Sequence, residues 1–298
     1  MRILLFGAAG QVGWELQRAL APLGPVTALA RAECDVADAA AVRGAVQAAA
    51  PDVVVNAAAY TAVDRAESEP QRAYAINAQA PGAMAEEVAR RGGWMVHFST
   101  DYVFDGSGHR PWVEDDPPGP LSVYGASKLA GEQAVQAAGG RHLIFRTSWV
   151  YAARGNNFAR TMLRLAADRQ QLCVVADQWG APTGAELLAD VTAHALRAAL
   201  AAPDLGGLYH LAAAGETNWC EYARWVLGHA GRAGQVLKAG PQQVIGIPTA
   251  DYPTPAARPL NSRLDTARLR AAFGLHLPPW QQGVERMLTE ALLATGHP

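Results

Sequence analysis
The segment Tyr124-Gly125-Ala126-Ser127-Lys128 sets a phenol and an ammonium four positions apart, and on a helix that spacing puts both on one face. A neighbouring cation stabilises tyrosinate. The pair therefore predicts a phenol whose pKa falls from about 10 towards working pH and which serves as a general acid for a developing alkoxide. Lysine can also bind ribose hydroxyls. On a plain surface helix the same pair is worth only a few tenths of a kcal/mol, so its surroundings decide. Ser99-Thr100-Asp101 ends the apolar run Trp94-Met95-Val96-His97-Phe98, and open α/β sheets bind ligands at the carboxyl ends of their strands. A hydroxyl at Thr100 can face the phenol there. Asn56-Ala57-Ala58-Ala59 follows another such run with side chains small enough for a ribose to pack close.

A third piece of chemistry lies at Gly7-Ala8-Ala9-Gly10-Gln11-Val12-Gly13, between the first apolar run and the first helical pattern. Glycines 7 and 10 allow a tight turn and close backbone approach to a pyrophosphate, and Gly13 allows the helix to pack against the strand. The helix N-terminus adds free N–H groups and the positive end of its dipole. In NAD-binding folds an acidic residue usually ends the second strand, but Val26-Thr27-Ala28-Leu29 runs into Ala30-Arg31. Arg31 suits a 2′-phosphate, which points to NADPH with NADH as the alternative; a solvated surface arginine is the plainer reading. Asp35 and Val36 fall where the chain can border the adenine.

The elements that must position these groups are short Val/Ile/Leu runs alternating with longer Ala-rich stretches, the pattern of a parallel sheet flanked by helices. Strands are expected at Arg2 to Phe6, Val26 to Leu29, Val53 to Asn56, Trp94 to Ser99 and His142 to Thr147. Helices are expected at Gln11 to Leu20, Asp38 to Ala50 with Asp38 able to cap it, Gln71 to Arg91 with Gly92-Gly93 as its stop, and Val123 to Ala138. Beyond Thr147 the regularity decays, and a smaller lobe with helices near Phe158 to Arg169, Glu186 to Leu200 and Asn218 to Ala230 is expected. Four prolines in the segment from Ile247 through Pro259 impose a loop, and its Tyr252 and Arg258 suit a ligand wall.

Composition excludes several other classes. The 298 residues are 50% hydrophobic and 17% charged, which fits a folded globular chain rather than a disordered one. With 25 Lys and Arg against 27 Asp and Glu, and no basic cluster, nucleic acid and anionic membrane are disfavoured as partners. No apolar stretch approaches a bilayer-spanning length. The glycine turn arrives before a signal-peptide core could be completed, and Cys34, Cys173 and Cys220 form neither a disulfide framework nor a zinc knuckle. Both point to a cytoplasmic setting. His97 in its apolar strand reads as a satisfied core histidine, and His109, His210 and His276 are too scattered for a metal cluster.

The glycine turn, Asn56-Ala57-Ala58-Ala59, Ser99-Thr100-Asp101-Tyr102-Val103-Phe104 and Tyr124-x-x-x-Lys128 together resemble the extended short-chain dehydrogenase/reductases. The resemblance narrows to the dTDP-4-dehydrorhamnose reductase family through Thr61-Ala62-Val63-Asp64-Arg65-Ala66-Glu67, Arg146-Thr147-Ser148-Trp149-Val150-Tyr151, Gly155-Asn156-Asn157-Phe158, Gly180-Ala181-Pro182-Thr183 and Arg258-Pro259-Leu260-Asn261-Ser262-Arg263-Leu264. It covers essentially the whole chain. It implies a doubly wound Rossmann sheet over 1–148, to which parts of about 165–215 return, and a smaller, discontinuous sugar-nucleotide lobe over 149–298. It also implies NADPH- or NADH-dependent reduction of a dTDP-linked 4-keto sugar. Tyr124 would give the proton to the C4 oxygen, Lys128 would be its electrostatic partner and a ribose ligand, and Thr100 would orient the keto group. Asp101, Tyr102, Trp149 and Val63 would meet the sugar; Gly10, Gln11, Val12, Asp35, Val36, Ala59, Tyr60, Thr61 and Phe98 would meet the cofactor. Glu15, Glu186 and Asp190 match positions that in some members meet a magnesium ion between two subunits, although solvated carboxylates explain them equally.

Two rival functions stay open at this point. A nucleotide-sugar epimerase or dehydratase can use the same fold, but dehydration typically needs a carboxylate pair after the threonine, and here Thr100-Asp101 is followed by Tyr102. A non-catalytic subunit that keeps the cofactor fold is the other, and intact Thr100, Tyr124 and Lys128 argue against it.

Overall fold
Each apolar run divides its side chains between two faces. In Ile3–Phe6, Ile3 and Leu5 pack into one core while Leu4 and Phe6 pack into the other, and Val53 and Val55 part from Val54 in the same way. Strands buried on both faces belong inside a parallel sheet with helices on either side. The computed structural model, which describes residues 1–293, has such a sheet with six parallel strands. Their spatial order is Gly207–His210, Arg141–Thr147, Trp94–Thr100, Val53–Asn56, Ile3–Phe6 and Val26–Leu29. The chain leaves Ile3–Phe6 towards one edge, returns, and continues towards the other. The order thus reverses between Ile3–Phe6 and Val53–Asn56, where doubly wound sheets open a ligand crevice.

The helices Gln11–Leu20 and Ala185–Ala201 bury Leu16, Leu20, Leu188 and Leu196 against one face. Ala39–Ala49, Ala80–Ala89 and Val123–Ala137 bury Val42, Val46, Met84, Val88 and Val135 against the other. Asp38 caps the second helix, its Oδ1 accepting from the N–H groups of Ala40 at 2.8 Å and Ala41 at 3.1 Å.

The stretch expected as one helix from Gln71 to Arg91 is instead Pro70–Tyr74, a π-helical turn over Ala75–Gln79, and Ala80–Ala89. Pro81 has no N–H to donate to the carbonyl of residue 77, and the wide turn just before it absorbs that break in the ladder. The sixth strand, Gly207–His210, has no sequence signal of its own; it forms because Leu143–Arg146 offers it an open edge.

The remaining chain builds a second cluster around the helices Phe158–Asp168, Trp219–Arg232 and Trp280–Leu293. Leu172–Val175 pairs in parallel with Val244–Ile247, so Ile247 ends a strand. From Pro248 to Pro259 the chain is irregular apart from a 3₁₀ turn at Thr249–Asp251. Residues 294–298, the expected end of the smaller lobe, lie outside the described residues.

Candidate active site
The glycine turn is shaped by contacts that exclude a side chain. Gly7 has φ +84°, and a Cβ there would lie 2.5 Å from the Ala58 nitrogen; one on Gly13 would lie 2.1 Å from the Gly7 carbonyl oxygen. First strand, third strand and first helix therefore touch backbone to backbone. Gly10 differs: the one neighbour its Cβ would meet is the Gly7 oxygen at 3.3 Å, and as N-cap it brings no side chain to the helix N-terminus. The first-turn N–H groups of Gln11–Leu20 are left for a ligand.

From this turn a groove of about 540 Å³ runs along the strand ends. Gly7, Gly10, Arg31, Asp35, Val36, Ala59, Tyr60 and Thr61 line it, as do Arg65, Glu69 and Arg72. Arg31 lies 3.3 Å from Asp35. The Ala37 N–H, and then Arg31, hold the Asp35 carboxyl below its usual range. Gln11, Val12, Gly13 and Phe98 are not in the groove wall. Gln11 donates to the Asn156 carbonyl at 3.1 Å, Val12 packs into the core, and Phe98 is buried beside Phe145. The π turn contributes Asn77, which accepts from the Tyr60 N–H at 2.8 Å and donates to the Tyr60 carbonyl and to Ser127. It fixes the groove's edge to the helix that carries Tyr124.

That helix starts at Ser122, whose Oγ accepts from the Gly125 N–H at 3.2 Å. A Cβ on Gly125 would stand 2.2 Å from the Tyr102 carbonyl oxygen, so glycine there lets the helix close onto the turn that follows Thr100. Tyr124 then packs edge-on to Tyr102, with ring centroids 5.5 Å apart, and its phenol reaches the Thr100 hydroxyl. Burial raises the Tyr124 pKa to about 12; the Thr100 contact pulls it down and the Asp101 carboxylate pushes it up. The expected lowering by Lys128 is absent. Lys128 is 2% exposed, donates to the Phe98 carbonyl and lies 3.4 Å from His97 Nε2, so its ammonium sits beneath the strand end rather than beside the phenol. Burial lowers the Lys128 pKa to about 8 against the opposing pull of Glu132.

Asp101 is buried, accepts from the Thr100 hydroxyl at 3.1 Å, and leaves Oδ2 without a partner. Burial raises its pKa to about 7 although Ser262 and Thr100 favour the anion. Trp149 has φ +49°, an uncommon conformation for a bulky residue, and stacks on Trp219 with ring centroids 3.6 Å apart. A cavity of about 360 Å³ beside it is lined by Phe158, Gln178, Trp219, Tyr252 and Arg258 among others. Arg258 in the proline-rich loop makes a two-point pair with Asp64 at 2.9 and 2.8 Å, one residue after Val63. This pair tethers the loop to the sheet side of the cleft. Trp219 and Gln178, joined at 3.1 Å, were invisible as site residues in the sequence. Trp219 looks there like any apolar residue opening a helix after its cap, Asn218.

Among the described residues of the single chain, the carboxylates expected at an intersubunit magnesium ion do not form a metal site by themselves. Arg18 engages Asp190 at 2.9 Å and Glu15 at 3.5 Å, and among the described residues no group of three His, Cys, Asp or Glu could hold a metal ion. No helix among them is long and apolar enough to cross a membrane.

Phenol and ammonium delivered by one helix to the end of a central strand, next to a dinucleotide-type groove at the switch point, place the chain among the extended short-chain dehydrogenase/reductases. Within that class it belongs to the family described as RmlD substrate binding domain, whose model matches residues 1–293. It is 55% identical over 299 residues to the dTDP-4-dehydrorhamnose reductase of Escherichia coli K12, covering 99% of both chains. The crystal structure of a Clostridium acetobutylicum dTDP-4-dehydrorhamnose reductase superposes with TM-score 0.89 at 34% identity, covering 99% of this chain and 100% of that one. A Bacillus anthracis dTDP-4-dehydrorhamnose reductase in complex with NADP gives 0.86 at 35% identity, over 97% and 99% of the two chains.

Proposed function
We propose that the protein reduces the C4 keto group of dTDP-4-dehydro-L-rhamnose to dTDP-L-rhamnose with NADPH, the final step in making that sugar donor. The observation that carries the reading is the placing of Tyr124, packed edge-on to Tyr102, beside Thr100 at the end of the fourth strand. Relatives named for this reaction support it, as does the NADP complex of one of them.

When bound, NADPH supplies the hydride. The residues that would hold it are Gly7, Gly10 and the free first-turn N–H groups of Gln11, Val12 and Gly13 at the turn, Arg31, Asp35 and Val36 by the second strand, and Ala59, Tyr60, Thr61 and Lys128. The free space at Gly10 and the uncapped helix N-terminus fit a pyrophosphate. Arg31 is the one of these suited to a 2′-phosphate.

Thr100 orients the keto oxygen by hydrogen bonding, and Tyr124 donates its proton to that oxygen as negative charge gathers on it. A phenol with pKa near 12 reaches the reaction with its proton in place at neutral pH. The tyrosinate left behind regains a proton from solvent; the Lys128 charge, held at the Phe98 carbonyl rather than against the phenol, supports it at longer range. Asp101, Tyr102, Trp149 and Val63 hold the sugar, and the aromatic cavity with Arg258 suits the nucleotide diphosphate. A cytoplasmic site of action suits two charged, water-soluble reactants. A homodimer across the Glu15 and Asp190 face belongs to the same reading and is checked by sedimentation.

The test is incubation with NADPH and the 4-keto sugar nucleotide. The reading expects one NADPH oxidised per dTDP-L-rhamnose formed. An epimerase or dehydratase returns its cofactor to the starting state, so product without net NADPH loss would overturn the proposal, as would no product at all.

A further inference from the structure
His97 is fully buried in the fourth strand, and both its ring nitrogens are engaged. Nδ1 lies 3.2 Å from Asn56 Nδ2. The orientation of that amide is not free, because Asn56 Oδ1 already accepts from the Ala58 N–H at 3.0 Å. Turning the amide over would set its NH₂ against that N–H, donor to donor. Asn56 therefore presents a donor to His97, and Nδ1 must answer with its lone pair. A neutral imidazole that accepts at Nδ1 carries its proton on Nε2, and Nε2 faces Lys128 Nζ at 3.4 Å. A protonated ring is disfavoured by burial and by the adjacent ammonium.

We infer that His97 is a positioning residue for the reduction: by presenting an N–H to Lys128, it favours the neutral amine, which can accept that hydrogen, over the ammonium, which cannot. The strand thereby sets the pH above which the lysine ceases to support the tyrosinate. This rests on the reading of Lys128 as the partner of Tyr124.

The other groups around Lys128 do not reverse the effect. On its own helix Tyr124 is one turn before and Glu132 one turn after, and Glu132, which favours the ammonium, is already committed to Arg146 by two hydrogen bonds. From the strand, the Phe98 carbonyl accepts from Nζ whether the group is an amine or an ammonium. Asp101 acts on Tyr124 and Tyr102. Asn77 reaches the helix through Ser127. None of these removes the Nε2–H from in front of Nζ.

The chain contains two lysines, Lys128 and Lys238, and Lys238 is exposed, so a ¹³C-lysine-labelled sample reports Lys128 beside an internal control. In the cofactor-free protein, ¹⁵N-histidine spectra should show His97 protonated at Nε2 and bare at Nδ1. In His97→Gln, whose side chain can offer a carbonyl oxygen to the ammonium, the Lys128 titration midpoint should rise by about one pH unit, a roughly tenfold change in its proton affinity, while Lys238 stays put. The basic limb of kcat/KM should rise with it. An Nδ1-protonated His97 in the wild-type protein would overturn the inference even if the variant does not fold. So would an unmoved Lys128 midpoint in a folded variant. If the midpoint moves while the basic limb does not, His97 controls the lysine as inferred and the lysine's part in the reaction is what fails. A purely structural histidine would lower the melting temperature and leave the Lys128 midpoint where it was.

Discussion

Replacing Arg146 by methionine should unfold the protein more readily than almost any change at the surface. Its side chain is 5% exposed and that of Glu132 is 2% exposed. The guanidinium meets the carboxylate at two points, Nε to Oε1 at 2.9 Å and Nη2 to Oε2 at 2.7 Å, and it also lies 5.0 Å from the centroid of the Phe104 ring. Methionine fills much of the volume but leaves Glu132 as a buried charge without its hydrogen-bonded ion-pair partner. Breaking a buried pair in this way typically costs about 3–5 kcal/mol, because the orphaned ion has lost both water and its counter-charge. For a chain of this size that is a fall in melting temperature of roughly 6–20 °C. Glu132 is one helical turn after Lys128, so the damage falls on the helix that carries Tyr124 and Lys128. The double variant Arg146→Met with Glu132→Leu removes both charges, and its loss should be smaller than that of Arg146→Met alone. Urea and thermal unfolding of the wild type, both single variants and the double variant measure the coupling directly. A single-variant loss below about 1 kcal/mol, or a double-variant loss equal to the sum of the singles, would refute the reasoning.

The two kinds of glycine at the turn should separate stability from binding. Gly13→Ala forces a methyl against the Gly7 carbonyl and should cost about 1–3 kcal/mol or more; Gly10→Ala should leave the melting temperature nearly unchanged and weaken NADPH at least about tenfold by filling the phosphate approach, as cofactor titration would show. Asp101 titrates near 7 when folded and near 4 when unfolded, so the folded state binds the extra proton and wild-type stability falls as pH rises between those values. The unfolding free energy of Asp101→Asn relative to wild type should therefore grow from about pH 4 to about pH 7 and then level off, and a pH-independent difference would count against a raised pKa. Arg31→Ala should weaken NADPH more than NADH in binding titrations, and equal losses would remove Arg31 as the reader of the 2′-phosphate.

Much of this architecture was legible in the sequence because its strands are buried on both faces. Runs such as Val53-Val54-Val55 have no polar face to dilute the signal, and Gly7, Gly10 and Gly13 mark the crossing of strand and helix by their spacing together with their place between an apolar run and a helical pattern. The short edge strand Gly207–His210 was hidden because its existence depends on a neighbour far away in the chain. The π turn at Ala75–Gln79 was hidden because helical periodicity runs through it. At the site, the meeting of Tyr124 and Thr100 at one strand end was legible from type and spacing, but the electrostatics were not. Whether a lysine lowers a tyrosine's pKa depends on where its ammonium points, and here the Phe98 carbonyl and His97 hold it below the strand end. The pairing of Asp64 with Arg258, 194 positions apart, and the stack of Trp149 on Trp219 are tertiary facts with no local trace.

The central claim is that the Tyr124 phenol protonates the C4 oxygen during reduction, and single-turnover hydride transfer at saturating dTDP-4-dehydro-L-rhamnose in Tyr124→Phe tests it most directly. The phenol acts on charge that appears only in the transition state, so its loss should spare NADPH affinity and slow the step by about 10²–10⁴-fold, roughly 3–5 kcal/mol of barrier. A Tyr124→Phe protein that binds NADPH as the wild type does and transfers hydride at more than about a tenth of the wild-type rate would contradict the account.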